Sequence, residues 1–278
     1  MCYTRPVAEG MRWWMPAALA ALVVALGRTD APAEPPPEPM ALWQRSLVVQ
    51  RLPDVRSEIT LTTTLKSGRV VTLRLRGISR LQPNGVQRSV MTRVVESGNL
   101  GGAGFLSIEQ PHEPSHLWIY LPGLARPRRL VGGNLRESYL GTEFRYGDLV
   151  QPDPDDYRAT LRGPDAVGGR ETWVIETEPR DPAVARDTGL GRQIRWLAKD
   201  TGMELRVEQH DPEGALLKIL DNDRWMGAVN DTRWLPRERR IRNVQTGAHS
   251  TATWEQVEVG VGIDPSLFSP VKMADRSW

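Results

Sequence analysis

Alternation of apolar and polar residues with a period of two is the feature that most restricts the fold of this chain. Val71, Leu73 and Leu75 alternate with polar residues, as in a strand that buries one of its faces. Similar runs recur at 58–65, 86–95, 104–109, 116–121, 157–161, 171–178, 192–197, 203–210, 215–220, 239–245 and 250–259. Turn signals rich in glycine, proline and asparagine separate most of these runs. The sequence therefore predicts a large antiparallel sheet.

Two irregular stretches and one short helix interrupt this pattern. Met40, Trp43 and Leu47 are spaced by three and four residues, which predicts an amphipathic helix over 40–50. Glycine, proline, arginine and aspartate concentrate in 123–150 and 179–191, where loops or short helices are expected. A curved sheet that leaves room inside needs a cover over its opening. We expect the helix and the two stretches to form that cover.

The N-terminus has the pattern of a secretory signal peptide. Arg12 precedes an apolar run over 13–26, which is shorter than the roughly 20 residues of a membrane-spanning helix. Cleavage is possible at 31–33 or at 25–27, which both have small residues at the required positions. The predicted division is a signal peptide over 1–33, a proline-rich tether over 34–39 and a single domain over 40–278. The only cysteine, Cys2, would be lost, so no disulfide is expected.

Composition and motifs exclude several functions. The 36 basic and 34 acidic side chains are spread along the chain, so we expect no nucleic-acid partner. No serine lies in a GxSxG motif, and the glycine clusters lack the lysine of a phosphate-binding loop. We therefore predict no catalytic residue and no metal site. A lipid hydrolase that depends on His210 or His249 is an outlying alternative.

The basic and the aromatic residues each have two interpretations. Arg126, Arg128 and Arg129 lie in the densest basic segment, which is either a solvated face or a contact for an anionic head group or acidic partner. Tryptophans on several predicted strands either fill a core or line a cavity for an apolar ligand.

Eight strings between residues 50 and 270 occur together in a specific order. They are GAGFLSIE (102–109), LWIYLPGLARPRRL (117–130), SYLGTEFRYGDL (138–149), DDYRATL (155–161), WVIETEP (173–179), IRWLAKDTGMELRVEQHDPEGALLKIL (194–220), WLP (234–236) and LFSP (267–270). In this combination the chain resembles the outer membrane lipoprotein-sorting protein family, the LolA-like group often associated with RND-type exporters.

The resemblance implies a mainly β (α+β) fold, a half-open antiparallel β-barrel whose short helices cover a hydrophobic cavity. It further implies a Gram-negative periplasmic protein that binds acyl chains and has neither enzymatic activity nor a cofactor. We expect a carrier that moves lipid or lipoprotein towards the outer membrane. The alternative is an accessory or regulatory protein of an RND-type exporter or an envelope-stress pathway that binds a protein partner. An inner-membrane exporter and an outer-membrane acceptor are the expected partners.

Strand parity selects the residues expected to line this cavity. The predicted lining residues are Val71, Leu73, Leu75, Trp118, Tyr120, Trp173, Ile175, Ile194 and Trp196. In the run over 116–121, parity also allows Leu117, Ile119 and Leu121 to point inward instead of Trp118 and Tyr120. We expect the aromatic pair to line the cavity.

Overall fold

A single antiparallel sheet of 13 strands organises the protein in the computed structural model. The structure describes residues 36–97, 99–124, 126–228, 230 and 232–275, so the predicted signal peptide lies outside the described residues. The strands are β1 (Asp54–Thr64), β2 (Val70–Leu81), β3 (Arg88–Glu96), β4 (Gly104–Gln110), β5 (Glu113–Tyr120), β6 (Arg128–Leu130), β7 (Tyr157–Val167), β8 (Arg170–Pro179), β9 (Arg192–Ala198), β10 (Glu204–His210), β11 (Leu216–Ala228), β12 (Arg233–Asn243) and β13 (His249–Val259). The mainly β prediction is confirmed.

The sheet is not closed into a barrel. Its order is β6-β5-β4-β3-β2-β1-β13-β12-β11-β10-β9-β8-β7, so β6 and β7 are its two edges. Strands that follow each other in the sequence pair, apart from β6 and β7, and β1 also pairs with β13 and thereby joins the two halves. The connection between the edge strands, from residue 131 onwards, has no strand of its own.

The helices are short and lie outside the sheet. They are α1 (Pro39–Val49), α2 (Pro182–Thr188) and α3 (Pro270–Met273), with 3-10 turns at Gly132–Arg136, Tyr146–Leu149, Pro154–Asp156 and Pro265–Leu267. Within the described part of the chain, no helix combines the length and the apolar character needed to cross a membrane. Helix α1 begins one residue inside the predicted tether, because Pro39 suits a first helical turn and the Glu38 carboxylate accepts hydrogen bonds from the next amides.

One face of the sheet, here called the inner face, carries a continuous apolar core. Directly paired residues of antiparallel strands point to the same face, and Leu61 pairs with both Leu73 and Ala252. On the far side of β13, Leu220 pairs with Ile241. These side chains are buried and belong to one cluster, so the alternation in the sequence becomes a single apolar surface.

The opposite or outer face is covered by the C-terminal residues over part of its area. Ile78, Met91 and Leu106 pack against Phe268 and Met273 there. The cover is also tied through the backbone, because the Asp54 carboxylate accepts hydrogen bonds from the amides of residues 262 and 263 at 2.8 and 3.0 Å. The outer cover is therefore an integral part of the fold.

Helix α1 packs on the inner face at the end formed by β7, β8 and β9. The Trp43 indole is fully buried among Tyr157, Ile175 and Leu197. Its ring lies edge-on to Tyr157 at a centroid distance of 5.4 Å, and the Arg195 guanidinium lies 4.9 Å from its centroid. This one side chain fixes the helix to the sheet.

Replacement of this anchor is expected to destabilise the whole domain. Trp43→Ala should lower the free energy of unfolding by about 3–5 kcal/mol, because it leaves a large cavity between α1 and the sheet. Urea denaturation followed by circular dichroism measures the loss. Val48→Ala on the same helix, where the side chain is 41 % exposed, should change little. Equal effects of the two substitutions would show that α1 is not held by Trp43.

Candidate functional site

Residues 131–150, here called the inner segment, occupy much of the inner face. Tyr139, Phe144 and Tyr146 are buried there around Phe105. The Phe105 ring lies 5.8 Å from the Tyr139 ring and 5.7 Å from the Tyr146 ring, measured between centroids. The apolar surface of the sheet is thus shielded from water by aromatic side chains that the chain itself supplies.

The inner segment keeps its shape through local hydrogen bonds. A hairpin closes between Ser138 and Arg145, and Leu140 and Gly141 form its tip with φ of 52° and 77°. The Thr142 hydroxyl donates to the Tyr139 carbonyl oxygen at 2.7 Å. Among the described residues, the hydrogen bonds between two backbone groups join the segment to itself and not to a strand of the sheet. The segment is therefore a separate piece laid on the sheet.

Glu143 is the main polar anchor of the inner segment. Its backbone amide donates to the Ser250 hydroxyl at 2.9 Å, and its carboxylate accepts from the Asn243 amide at 3.1 Å. The buried Lys218 ammonium donates to the Glu143 carbonyl oxygen and lies 3.7 Å from its carboxylate. Burial lowers the pKa of Lys218 despite these partners. Three strands, β11, β12 and β13, thus hold one residue of the segment.

Two further side-chain contacts hold the segment elsewhere. The hydroxyls of Tyr139 and Thr92 are 2.9 Å apart, and the Gln209 amide donates to the Asp148 carboxylate at 2.8 Å. Burial raises the pKa of Tyr146 to about 12 and also raises the pKa of Tyr139. The anchors are hydrogen bonds of side chains, which can break without loss of any strand pairing.

Polar side chains also occupy the inner face between the apolar core and α1. The buried Arg195 donates to the Glu204 carboxylate at 2.6 Å. On the neighbouring strands, the Asn222 amide donates to the Glu204 carbonyl oxygen at 2.8 Å and accepts from Arg239 at 2.7 Å. The inner face therefore has an apolar part and a charged part.

Several of the residues predicted to line the cavity meet on the inner face. Val71, Leu73 and Leu75 lie in or against the apolar core beneath the inner segment. Trp173 and Ile175 point to the same face at the end covered by α1, because they pair with Leu197 and Arg195. These two groups lie at opposite ends of the face, so the structure does not bring all five together.

The other four predicted lining residues point the opposite way. Trp118 and Tyr120 pack on the outer face with the C-terminal cover, whereas Leu117 and Ile119 are buried in the inner core. The choice of the aromatic pair was therefore wrong, because parity alone could not fix the direction of β5.

Ile194 and Trp196 were misassigned for a related reason. On β9, Arg195 pairs with Ile175, so its neighbours on the strand point outward. The Trp196 indole there donates to Asp165 at 2.9 Å.

The predicted arginine contact lies at the edge of the sheet. Arg128 and Arg129 belong to edge strand β6 and are exposed. With Arg126 they border an open pocket of about 480 Å³. Arg128 lies 3.5 Å from the Glu137 carboxylate of the inner segment, so this edge contacts the cover.

A second pocket also lies away from the inner face. It measures about 180 Å³ and is bordered by Arg93, Tyr120 and Met273 near the C-terminal cover. Neither pocket is the hydrophobic cavity that the sequence predicts, because the space on the inner face is filled by the inner segment.

The histidines do not form a common site. His112 is exposed near Asp153 and Asp155, and His116 lies edge-on to Trp118 on the outer face. His210 is buried, its Nδ1 has no hydrogen-bond partner among the described residues, and burial lowers its pKa. The described part of the chain has no group of three or more histidine, cysteine, aspartate or glutamate side chains that fits a metal ion.

The sequence predicts a cover that includes 123–150, and residues 131–150 form part of it, but the aromatic residues of this cover are not among those predicted from the sequence. Tyr139, Phe144 and Tyr146 fall inside the string SYLGTEFRYGDL, which was read as irregular. Three aromatic residues within eight positions of a stretch without strand periodicity were the available signal. Arg239 gave no such signal, because it is one of several arginines on β12.

Comparisons with known proteins agree with this architecture. A family model described as "Uncharacterized protein"-like matches residues 87–275. No curated protein matches the chain. A structure of a DUF1329 family protein from Desulfovibrio piger is 22 % identical, with a TM-score of 0.77 over 84 % of this chain and 97 % of that one.

Two further similar structures are described as a lipoprotein-sorting protein domain and as a LolA superfamily protein. A putative outer membrane lipoprotein-sorting protein domain from Vibrio parahaemolyticus is 23 % identical, with a TM-score of 0.78 over 85 % of this chain and 98 % of that one. A LolA superfamily protein from Nitrosomonas europaea is 14 % identical, with a TM-score of 0.65 over 84 % and 98 %. The resemblance to lipoprotein-sorting proteins is confirmed at the level of the fold.

Loss of the buried ammonium is expected to loosen the inner segment. Lys218→Met removes a charge-assisted hydrogen bond and leaves the Glu143 carboxylate without its ion-pair partner, so opening should be favoured about tenfold or more. Hydrogen exchange of the amides of 131–150 measures the opening. Lys66→Met in the exposed turn between β1 and β2 is the control. Unchanged exchange in Lys218→Met would show that Glu143 does not anchor the segment.

Alkaline pH is expected to release the same segment. The buried Tyr146 phenol has a raised pKa, so its stabilisation is complete below the ordinary tyrosine pKa near 10 and is lost as the pH rises through about 12. Tyrosinate absorbance should therefore contain a late step that Tyr146→Phe removes. A titration identical in the wild type and this variant would mean that Tyr146 is not buried.

Proposed function

The chain belongs to the protein family whose model matches residues 87–275, and on this premise we propose that it is a lipid or lipoprotein carrier. Acyl chains bind to the inner face without catalysis or cofactor. The carrier acts in the periplasm, after a signal peptide over 1–33 has been cleaved, and moves its cargo towards the outer membrane. Residues 34–39 tether the domain over 40–278.

The observation that carries this proposal is the way the inner face is covered. A broad apolar surface lies beneath residues 131–150, and that cover is held by side-chain contacts of Glu143, Tyr139 and Asp148. Opening the cover exposes the apolar surface and leaves all 13 strands paired. A surface that is apolar, large and reversibly covered suits a ligand with a flexible hydrocarbon chain.

Binding of an acyl chain is energetically reasonable because the acyl chain replaces the inner segment as the apolar cover of the inner face. Burial of hydrocarbon stabilises a complex by about 0.8 kcal/mol per methylene group. A long acyl chain that replaces Tyr139, Phe144 and Tyr146 offsets the cost of exposing them. Val71, Leu73 and Leu75 contact the chain, together with Leu117 and Ile119, while Trp173 and Ile175 extend the surface under α1.

We assign the exposed arginines at edge strand β6 to the binding of a protein partner. Arg126, Arg128 and Arg129 border one open pocket, and Arg128 lies beside Glu137 of the inner segment. An acidic surface of an inner-membrane RND-type exporter or of an outer-membrane acceptor would bind there and draw the cover away from the sheet. The same contact also favours the alternative role, an accessory subunit of such an exporter.

A reversible lock on the inner segment tests the carrier proposal. The Ser250 hydroxyl lies 2.9 Å from the Glu143 amide nitrogen, which keeps the two Cα atoms within about 7 Å, the upper limit for a disulfide. In a Glu143→Cys, Ser250→Cys variant, the disulfide should abolish uptake of a fluorescent fatty-acid probe, and reduction should restore it. Because Cys2 is the only natural cysteine, its replacement by serine leaves one possible bridge.

Comparing the oxidised and reduced forms of the same variant removes the effect of the substitutions themselves. Oxidised and reduced samples of the variant have the same sequence and differ only in the lock, and each single-cysteine variant controls for the reductant. Equal probe binding by oxidised and reduced protein would contradict binding beneath the inner segment. Absence of binding by the wild type would contradict the carrier proposal altogether.

A further inference from the structure

We propose that Arg239 is the binding site for an anionic head group of the cargo, a carboxylate or a phosphate. This inference rests on the proposed carrier function and adds the chemical class of the lipid. It concerns a residue of the inner face, and not the exposed arginines of strand β6.

Arg239 points to the inner face, between α1 and the inner segment, and among the described residues it has no acidic partner within the distance of an ion pair. Its Nε donates to the Asn222 side-chain oxygen at 2.7 Å. In the described structure no carboxylate lies within 4.0 Å of its guanidinium, and its two terminal nitrogens make no hydrogen bond. Several donors of one guanidinium are therefore uncommitted.

Two buried cations of the inner face, Arg195 and Lys218, do have acidic partners. Arg195 binds the Glu204 carboxylate at 2.6 Å and also donates to two further side chains. Lys218 lies 3.7 Å from Glu143. Arg195 and Lys218 therefore have carboxylate partners, whereas Arg239 has only the Asn222 side-chain oxygen.

The surroundings of Arg239 make the missing partner costly. The side chain is only partly exposed. Burial lowers the pKa of Arg239, the more distant charge of Glu204 raises it in part, and the charge of Arg88 lowers it again. Arg88 shares a single carboxylate, Glu109, with Arg51. A partly buried charge without a partner is destabilising, so an external anion that binds Arg239 would relieve this cost.

The position of Arg239 also fits an amphipathic ligand. Arg239 pairs with Ala252 on the inner face, and Ala252 pairs in turn with Leu61. Two residues further along β12, Ile241 is fully buried in the apolar core. An anion bound at Arg239 would therefore have its hydrocarbon tail directed along the apolar surface that the inner segment covers. Guanidinium groups bind carboxylates and phosphates through paired hydrogen bonds.

Three probes with the same acyl chain separate head group from tail. Oleate carries a carboxylate, oleoyl lysophosphatidic acid carries a phosphate, and monoolein is neutral. Dissociation constants are measured by displacement of a fluorescent probe from the full-length exported protein. Arg239→Gln should weaken binding of the two anions about tenfold or more, and binding of monoolein should stay within about twofold.

A neighbouring arginine supplies the matched control. Arg240 lies next on the same strand, points to the outer face and pairs with Asp223 and Glu238. Arg240→Gln should leave all three dissociation constants unchanged. Arg239→Lys retains the charge and should keep a preference for the anions, which preserves the test if Arg239→Gln does not fold.

The possible results distinguish failure of the head-group site from failure of the proposed carrier function. Stronger loss for one anion than for the other identifies a carboxylate or a phosphate as the natural group. Equal losses for all three probes in Arg239→Gln, or no loss for any of them, would overturn the head-group site while leaving the carrier intact. Failure of the wild type to bind any of the three probes would overturn the carrier function and this inference with it.

Discussion

The rest of the structure depends on one constraint. The sheet has an apolar inner face and does not cover that face with its own strands. Strands β6 and β7 are both edges, so the inner face has no opposing strands to cover it. Water contact with such a surface is unfavourable. The protein meets this constraint with residues 131–150 and with helix α1, which cover different ends of the same face.

The covers of the two faces are attached in different ways. On the outer face, the C-terminal residues bind through their backbone, because Asp54 accepts two amide hydrogen bonds and Arg93 donates to the carbonyl oxygens of Met273 and Asp275. On the inner face, the connections run largely through the side chains of the cover or of the sheet. The outer cover stabilises the sheet, and the inner cover is the part suited to exchange with a ligand.

Sequence periodicity predicted the sheet but could not predict its inner face completely. The apolar positions 71, 73 and 75 alternate clearly, and the structure places them together. On β5, apolar or aromatic residues occupy every position from 117 to 121, so alternation gave no direction, and Trp118 was placed on the wrong face. On β9 an inward residue is an arginine, Arg195, which contacts Glu204 on the next strand and Trp43 from a distant part of the chain.

The sequence predicted a cover from 123–150, but not the contacts that hold it or the position of Arg239. An irregular stretch shows no period, so only the contacts of Glu143 with three separate strands reveal where residues 131–150 lie. Arg239 is one of several arginines on β12. It differs from Arg240 in the face of the sheet to which it points and in the residues that it contacts. The register of β11, β12 and β13 determines both.

The most direct test of the account is to locate a bound acyl chain. A fatty acid that carries a photoreactive diazirine on its tail is bound to the protein and irradiated, and fragment mass spectrometry identifies each modified residue. The account predicts labels on inner-face residues such as Leu61, Leu73 and Phe105, and none on the outward residues between them on the same strands. Labels on Ile194, Trp196 or the C-terminal cover would contradict it.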